Sequence, residues 1–138
     1  MTTGYSGTPL ARKLSLRDGL RTWWDEMPPG VRHEIEEEGL RLQLLIWPEP
    51  PIDAAHIFVT SRIDLAAAIG RLRPKLAPDG FLWVSWPKKA SRVPTDITED
   101  VIRDLAPPTG LVDVKVCAVD TVWSGLKLVI RKELREEA

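Results

Sequence analysis

The sequence predicts an α/β fold: an open three-layer α/β/α sandwich around a mostly parallel sheet that ends in a C-terminal antiparallel hairpin. Three observations carry that expectation. Short apolar runs such as "HIFVT" and "FLWVSW" are each followed by a segment whose apolar residues recur at helical spacing, the order in which parallel strands and crossover helices alternate. A serine or threonine stands where these helical segments begin, placed to accept a backbone N–H of the first turn. The last two runs, "VDVKVCAV" (112–119) and "LKLVIRK" (126–132), alternate residue by residue, and the "DTVWSG" between them is too short for a parallel crossover, so as sheet neighbours they pair antiparallel.

In chain order, Thr8 and Pro9 suit the cap and first turn of a short helix with Leu10 and Leu14 on one face, and "RDG" (17–19) ends it. "LRTWW" (20–24) reads as a short, bulky strand. "PPGVRHEIEEEG" begins with a proline pair suited to a first helical turn and ends at a helix-stopping glycine, although Glu36, Glu37 and Glu38 fall where the helix dipole disfavours negative charge. "LRLQLLIW" (40–47) reads as a strand that "PEPP" breaks. "HIFVT" (56–60) is the next strand, and Ser61 caps a helix over "SRIDLAAAIGRLRPKL" with Leu65, Ala68, Ile69 and Leu72 on one face. "APDG" (77–80) makes a turn, "FLWVSW" (81–86) is a strand buried on both faces, and Thr98 caps "EDVIRDLA" with two acids in its first turn.

Hydrophobic residues make up 43% and charged residues 28% of the 138 positions, the balance of a globular chain whose length suits a single domain over 1–138. Nineteen basic residues oppose twenty acidic ones, so no global field attracts nucleic acid or an anionic membrane, and neither is expected as a partner. No apolar run is long enough to span a bilayer, and the start lacks the apolar core of a signal peptide, which points to the cytoplasm. The single cysteine, Cys117, cannot form an internal disulfide and reads as a buried small hydrophobe rather than a reactive thiol. With only His33 and His56 beside it, neither a zinc ligand set nor a CxxC redox pair can be assembled. There is no GxxxxGK[ST] phosphate loop, neither histidine has a nucleophile and an acid at motif spacing, and "YSGTP" lacks the strand context of a nucleophile elbow. No catalytic residue, metal or cofactor is therefore assigned.

"KLSLRDGLRTWWDEM" resembles the lead-in helix, turn and first strand of the Rossmann-like methyltransferase fold, and "LRPKLAPDGFLWVSW" resembles its late helix, turn and strand. That resemblance implies S-adenosylmethionine bound after the first strand by a glycine-rich turn, with an acid after the second strand on the ribose. The corresponding residues here are "WDEMPPG": two prolines have no N–H to donate, and Trp23, Trp24 and Met27 are expected to crowd a ligand, while Asp25 and Glu49 stand in for the acids. The chain is also short by a strand–helix unit. A divergent S-adenosylmethionine-dependent methyltransferase is accordingly the last of three functional readings. "GYSGTPLARKL", "FVTSR", "LWVSWPKKAS", "PTDITEDVIRD", "GLVDVKVCAVD" and "WSGLKLVIRK" are similar to an uncharacterised bacterial family, domain of unknown function 3052, which implies a small Rossmann-like domain with no activity to carry over.

Ligands of open α/β sheets bind outside the carboxyl ends of the parallel strands. Thr60, Ser61 and Arg62 follow one such end; Trp86, Lys88, Lys89, Ser91 and Arg92 follow another. If the two strands are neighbours, these residues converge with the helix start at Thr98 on an anion, a nucleotide or phosphorylated metabolite, with Trp86 or Trp123 stacking on it. The same loop also reads as a solvated connection in which Thr95, Asp96 and Thr98 are ordinary turn and cap residues, and both readings stay open. Six tryptophans are many for a small core, so Trp23, Trp24 and Trp47 are candidates for an apolar surface that meets a protein partner or a second copy in a homodimer. The leading expectation is a non-catalytic binding or regulatory module for an anionic small molecule, and the second is a protein-interaction adaptor. Under the first, replacing Lys88 and Lys89 together weakens binding with little change in melting temperature.

Overall fold

The computed structural model describes residues 7–137; Tyr5 and Ser6 of "YSGTP" lie outside them. Helix α1 (Leu10–Lys13) is followed by β1 (Arg21–Asp25), α2 (Pro29–Glu36), β2 (Gln43–Leu44), β3 (Ile52–Phe58), α3 (Arg62–Leu72), β4 (Leu76–Pro87), α4 (Glu99–Leu105), β5 (Leu111–Ala118) and β6 (Trp123–Ile130). The strands form one six-stranded sheet in the order β2-β1-β3-β4-β6-β5. β1 to β4 run parallel, and β6 is antiparallel to both β4 and β5.

Two of the expected caps are formed. Ser61 Oγ accepts the Asp64 N–H at 3.1 Å, and Thr98 Oγ1 accepts the Val101 N–H at 3.2 Å. At α1 the start moves by one residue: Pro9 rather than Thr8 is the cap position, and no side chain caps it.

The two-residue period of β3 and β4 divides the core between the faces of the sheet. Ala55, Ile57, Leu82 and Val84 pack with Leu65, Ile69 and Leu72 of α3 and Ile102 of α4. Ala54, Phe58, Phe81 and Trp83 pack with Leu10 of α1 and with Val31 and Ile35 of α2. Burial on both faces is what the near-continuous apolar run "FLWVSW" requires of a central strand. Trp83 is buried, and its indole N–H donates to the Leu14 carbonyl at 2.9 Å, which ties β4 to the end of α1.

Several expected boundaries differ. The strand over 40–47 shrinks to Gln43–Leu44, which pairs only with Arg21 and Thr22 at the beginning of β1. The chain then leaves the sheet, with Ile46 95% exposed and Trp47 55% exposed, and β3 begins at Ile52, four residues earlier than "HIFVT". No helix lies between β2 and β3. Residues 45–51 suffice because β2 and β3 both start beside the same end of β1, where Thr22 faces Leu44 and Ala54. Arg21 pins this link: Nε donates to the Pro51 carbonyl at 2.7 Å and Nη2 to the Glu49 carbonyl at 3.1 Å.

"APDG" is not a turn before β4 but a bulge within it. The register passes from Ile52 opposite Leu76 to Ala54 opposite Phe81, leaving extra residues on β4. A Cβ at Gly80 would stand 2.7 Å from the Ile52 carbonyl oxygen, so glycine allows the two strands to close there. Among the described residues, no helix is long and apolar enough to cross a membrane.

Candidate functional site

A cleft of about 460 Å³ opens at the C-terminal ends of β1 and β3. Asp25 and Glu26 from β1 and its turn form one side, and Phe58, Val59 and Thr60 from the end of β3 form the floor. Asp64, Ala67, Ala68 and Arg71 of α3 form the wall, and Trp123 closes the rim. The α3 residues follow i, i+3, i+4, i+7 spacing, one stripe of a helix. Phe58 and Trp123 meet edge to face, with ring centroids 5.1 Å apart.

Three carboxylates, Asp25, Glu26 and Asp64, face one guanidinium, so the cleft carries an excess of negative charge. Arg71 Nη2 lies 3.6 Å from Asp25 Oδ2, with both side chains partly exposed, a pairing worth about 0–1 kcal/mol and readily exchanged. Glu26 adopts φ 59°, a left-handed conformation that glycine normally supplies. The tight turn after β1 is therefore made without glycine, and a non-glycine held in such a conformation beside a cleft marks the turn for attention.

The expected crowding by "WDEMPPG" does not occur. Trp23 and Trp24 point to opposite faces of β1: Trp23 packs with the α3 side of the core, Trp24 and Met27 with the α2 side, and none of the three lines the cleft. Arg32 lies 5.3 Å from the Trp24 ring centroid. Trp23 and Trp24 thus do not form a shared surface, whereas Trp47 is exposed with Leu44 and Ile46 near the β2 edge. Glu49 cannot join Asp25, because its carbonyl is held by Arg21, four residues and about 13 Å down β1.

A second cleft, about 430 Å³, lies at the end of β4 and includes Trp86, Pro87, Lys89, Thr95, Ile97, Thr98 and three charged residues of α4. The residues expected to converge on an anion are divided between the two clefts. Thr60 lines the first; Trp86 and Lys89 line the second. Lys88 Nζ donates to the Asp120 carbonyl in the turn between β5 and β6 at 2.7 Å, and Ser91 Oγ donates to the Lys88 carbonyl of its own loop at 2.7 Å, so both are engaged within the chain. Arg92 is exposed, with φ 64°. Ser61 caps α3, and the backbone N–H of Arg62 donates to Asp96 Oδ1 at 2.7 Å. The start of α3 thus already holds a carboxylate of the chain, whereas the helix start expected to face an anion is that of α4 at Thr98. Arg103 is likewise committed, to Glu99 at 2.8 Å and Asp113 at 3.1 Å; the hydrogen bond to Asp113, then that to Glu99, raises its pKa.

One pairing lay beyond sequence spacing. His56 Nε2 is hydrogen-bonded to Ser85 Oγ at 2.6 Å across β3 and β4. Burial lowers the His56 pKa to about 3, Ser85 is fully buried, and Phe58 stacks on the imidazole with centroids 4.4 Å apart. The pair is a neutral, sealed core hydrogen bond behind the cleft floor. Cys117 is half-buried on β5, and burial, its largest influence, raises its thiol pKa, against a nucleophilic thiolate. Among the described residues, no group of three or more His, Cys, Asp or Glu side chains is arranged to hold a metal ion.

No family model matches the chain, and no curated protein is similar to it in sequence. Solved structures are similar to it in shape. The ribosomal protein L11 methylase of Lactobacillus delbrueckii subsp. bulgaricus is 12% identical over 89% of this chain and 75% of that one, with a TM-score of 0.55. A methyltransferase described as putative from Thermoplasma acidophilum is 8% identical over 85% and 70%, with a TM-score of 0.59. The magnesium protoporphyrin IX methyltransferase of Synechocystis, solved with bound S-adenosylmethionine, is 12% identical over 83% and 71%, with a TM-score of 0.55. The fold is that of the S-adenosylmethionine-dependent methyltransferases. These neighbours overturn the leading expectation of a non-catalytic module for an anionic small molecule, since those with a named cofactor carry S-adenosylmethionine or S-adenosylhomocysteine. The expected methyltransferase-like fold is found; the methyltransferase reading of function stands last in the sequence because "WDEMPPG" lacks glycine, whereas its bulky residues turn away from the cleft.

The cleft residues other than Asp25, Thr60 and Trp123 were not singled out in the sequence. The available signal was the stripe Asp64, Ala67, Ala68 and Arg71, which the apolar face of the same helix overshadowed.

Proposed function

We propose that the chain binds S-adenosylmethionine in the acidic cleft over β1 and β3 and acts as a small methyltransferase. The observation that carries this reading is the excess of carboxylate around a cleft walled by Phe58 and Trp123, at the C-terminal ends of two neighbouring parallel strands. Such a field favours a sulfonium and an ammonium and disfavours phosphate. The volume of about 460 Å³ falls among small-molecule sites, which run ~300–1,000 Å³.

The residues present fit that group. Phe58 and Trp123 offer aromatic surface to an adenine ring or to a cationic sulfur. Asp25, Glu26 and Asp64 face positive charge, Ala67 and Ala68 keep the α3 wall low, and Thr60 offers a hydroxyl at the rim. When bound, S-adenosylmethionine supplies an electrophilic methyl group on positively charged sulfur. The proton acceptors of the cleft are carboxylates, because His56 behind Phe58 is buried and neutral. The similarity of the segments quoted above to domain of unknown function 3052 supports a bacterial source.

A thermal-shift series tests the reading with S-adenosylmethionine, S-adenosylhomocysteine, ATP, NAD and inorganic phosphate. A ligand at about a hundredfold over its Kd adds roughly 2.7 kcal/mol to folded-state stability. The two adenosyl-sulfur ligands raise Tm by several degrees, and phosphate does not. A shift with ATP or phosphate and none with S-adenosylhomocysteine overturns the reading.

A further inference from the structure

We propose that the second cleft, at the end of β4, is a binding site for an uncharged planar molecule bearing a carbonyl oxygen, with Trp86 as both its floor and its hydrogen-bond donor. The site is separate from the cleft over β1 and β3. Thr60 lines that cleft and Thr95 this one, and the Thr95 hydroxyl donates to the Thr60 carbonyl at 2.7 Å in the wall between them.

The two-residue period of β4 puts Leu82, Val84 and Trp86 on one face of the sheet, and the loop after Pro87 returns with Ile97 buried in the same cluster. Trp86, Pro87 and Ile97 therefore give the cleft an apolar floor, and its volume of about 430 Å³ falls among small-molecule sites, which run ~300–1,000 Å³. Trp86 is only 7% exposed, and its indole N–H has no hydrogen-bond partner among the described residues. The described side-chain atoms that lack both a partner and solvent are Trp23 Nε1 and Arg131 Nε. The Trp86 N–H thus still reaches solvent, and the cleft is an opening that its ring lines. A ligand that brings an acceptor to this donor while covering the apolar floor restores a hydrogen bond in a place from which it displaces water.

The charges select against ions. Lys89 and Arg103 are balanced by Glu99 and Asp100, so neither sign is in excess. Arg103 is withdrawn into its bonds with Glu99 and Asp113, and the two acids in the first turn of α4 oppose an anion. A cation meets Lys89, and the indole nitrogen has no lone pair to offer it. The Thr95 hydroxyl is already used, because it donates to Thr60 and accepts the Ile97 N–H at 3.0 Å. The floor offers aromatic surface and one N–H, and a flat ring with a neutral carbonyl matches both.

Nuclear magnetic resonance titration of isotope-labelled wild type tests this with three probes of nearly equal shape: benzamide, which is neutral, benzoate, which is anionic, and benzamidine, which is cationic. Benzamide moves the Trp86 indole N–H signal together with the amides of Ile97 and Thr98, and the two ions bind at least about fivefold more weakly. Trp86→Phe keeps an aromatic floor without the donor and weakens benzamide about fivefold, whereas Lys89→Met at the exposed rim leaves its affinity unchanged. S-adenosylhomocysteine does not displace benzamide from the wild type. A Trp86 signal that stays in place, an ion that binds as tightly as benzamide, or displacement by S-adenosylhomocysteine overturns the site. The wild-type titration decides the question even where Trp86→Phe fails to fold.

Discussion

The Asp96 carboxylate accepts the backbone N–H of Arg62 at 2.7 Å, so the first turn of α3 is satisfied by a group from the loop after β4. The neighbouring Thr95 hydroxyl donates to the Thr60 carbonyl at 2.7 Å, and together the two residues fasten that loop to the end of β3. Replacing Asp96 by alanine should cost about 0.5–2 kcal/mol, the range for losing a capping acceptor, and Asp96→Asn should cost less because an acceptor oxygen remains. Urea unfolding of the two variants checks this, and two melts identical to wild type contradict it.

The two lysines of "WPKKAS" separate in the same kind of experiment. Lys88 Nζ binds the Asp120 carbonyl and its backbone N–H binds the Val122 carbonyl at 2.7 Å, so its side chain braces the turn between β5 and β6. Lys88→Met should lose about 0.5–1.5 kcal/mol. Lys89→Met, at an exposed position, should stay within about 0.5 kcal/mol of wild type. The sequence-based expectation that the double replacement leaves Tm nearly unchanged is therefore reversed.

Two tryptophans give opposite results on replacement by phenylalanine. Trp83 loses its hydrogen bond to Leu14, leaving a carbonyl unpaired in the core, and Trp83→Phe should cost about 1–3 kcal/mol. Trp23 Nε1 is buried with no hydrogen-bond partner. Trp23→Phe removes that uncompensated donor and should be neutral or stabilising to within about 1 kcal/mol. Chemical denaturation ranks the pair, and a larger loss at Trp23 than at Trp83 contradicts the placement of the two rings.

Local signals account for what could be read from the sequence. Ser61 and Thr98 cap the helices they precede, and the alternation in "VDVKVCAV" and "LKLVIRK" with a short connection specifies an antiparallel pair. What escaped depends on distant partners. The strand "LRLQLLIW" is cut short because Arg21 holds the following proline-rich link beneath β1. "APDG" has turn composition, yet pairing with β3 absorbs it as a bulge. Arg71 and Asp25 meet only because α3 packs back across β1 and β3, and Asp96 reaches Arg62 only after β3 and β4 are side by side. Helix starts such as those at Ser61 and Thr98 are visible in sequence, whereas the acid that occupies the α3 start is not.

His56 sets an acid limit to stability. Its pKa is lowered by burial from 6.5 to about 3 in the folded chain, so between those values the unfolded chain binds the extra proton. Stability is full above pH 6.5 and declines as pH falls toward 3, by up to about 1.4 kcal/mol per pH unit. His56→Gln removes the titration and retains hydrogen-bonding atoms for Ser85, so its urea midpoint should fall less steeply on acidification. Identical slopes for variant and wild type contradict a buried neutral imidazole.

The most direct test of the adenosyl-sulfur cleft is a nuclear magnetic resonance titration of isotope-labelled protein with S-adenosylhomocysteine, following the tryptophan indole N–H signals and the backbone amides. Binding in the cleft moves the Trp123 indole together with the amides of Glu26, Thr60 and Arg71, and leaves the exposed Trp47 indole in place. Shifts confined to Trp86, Lys89 and Thr98 move the ligand to the second cleft, and an unchanged spectrum at saturating ligand contradicts the S-adenosylmethionine reading altogether.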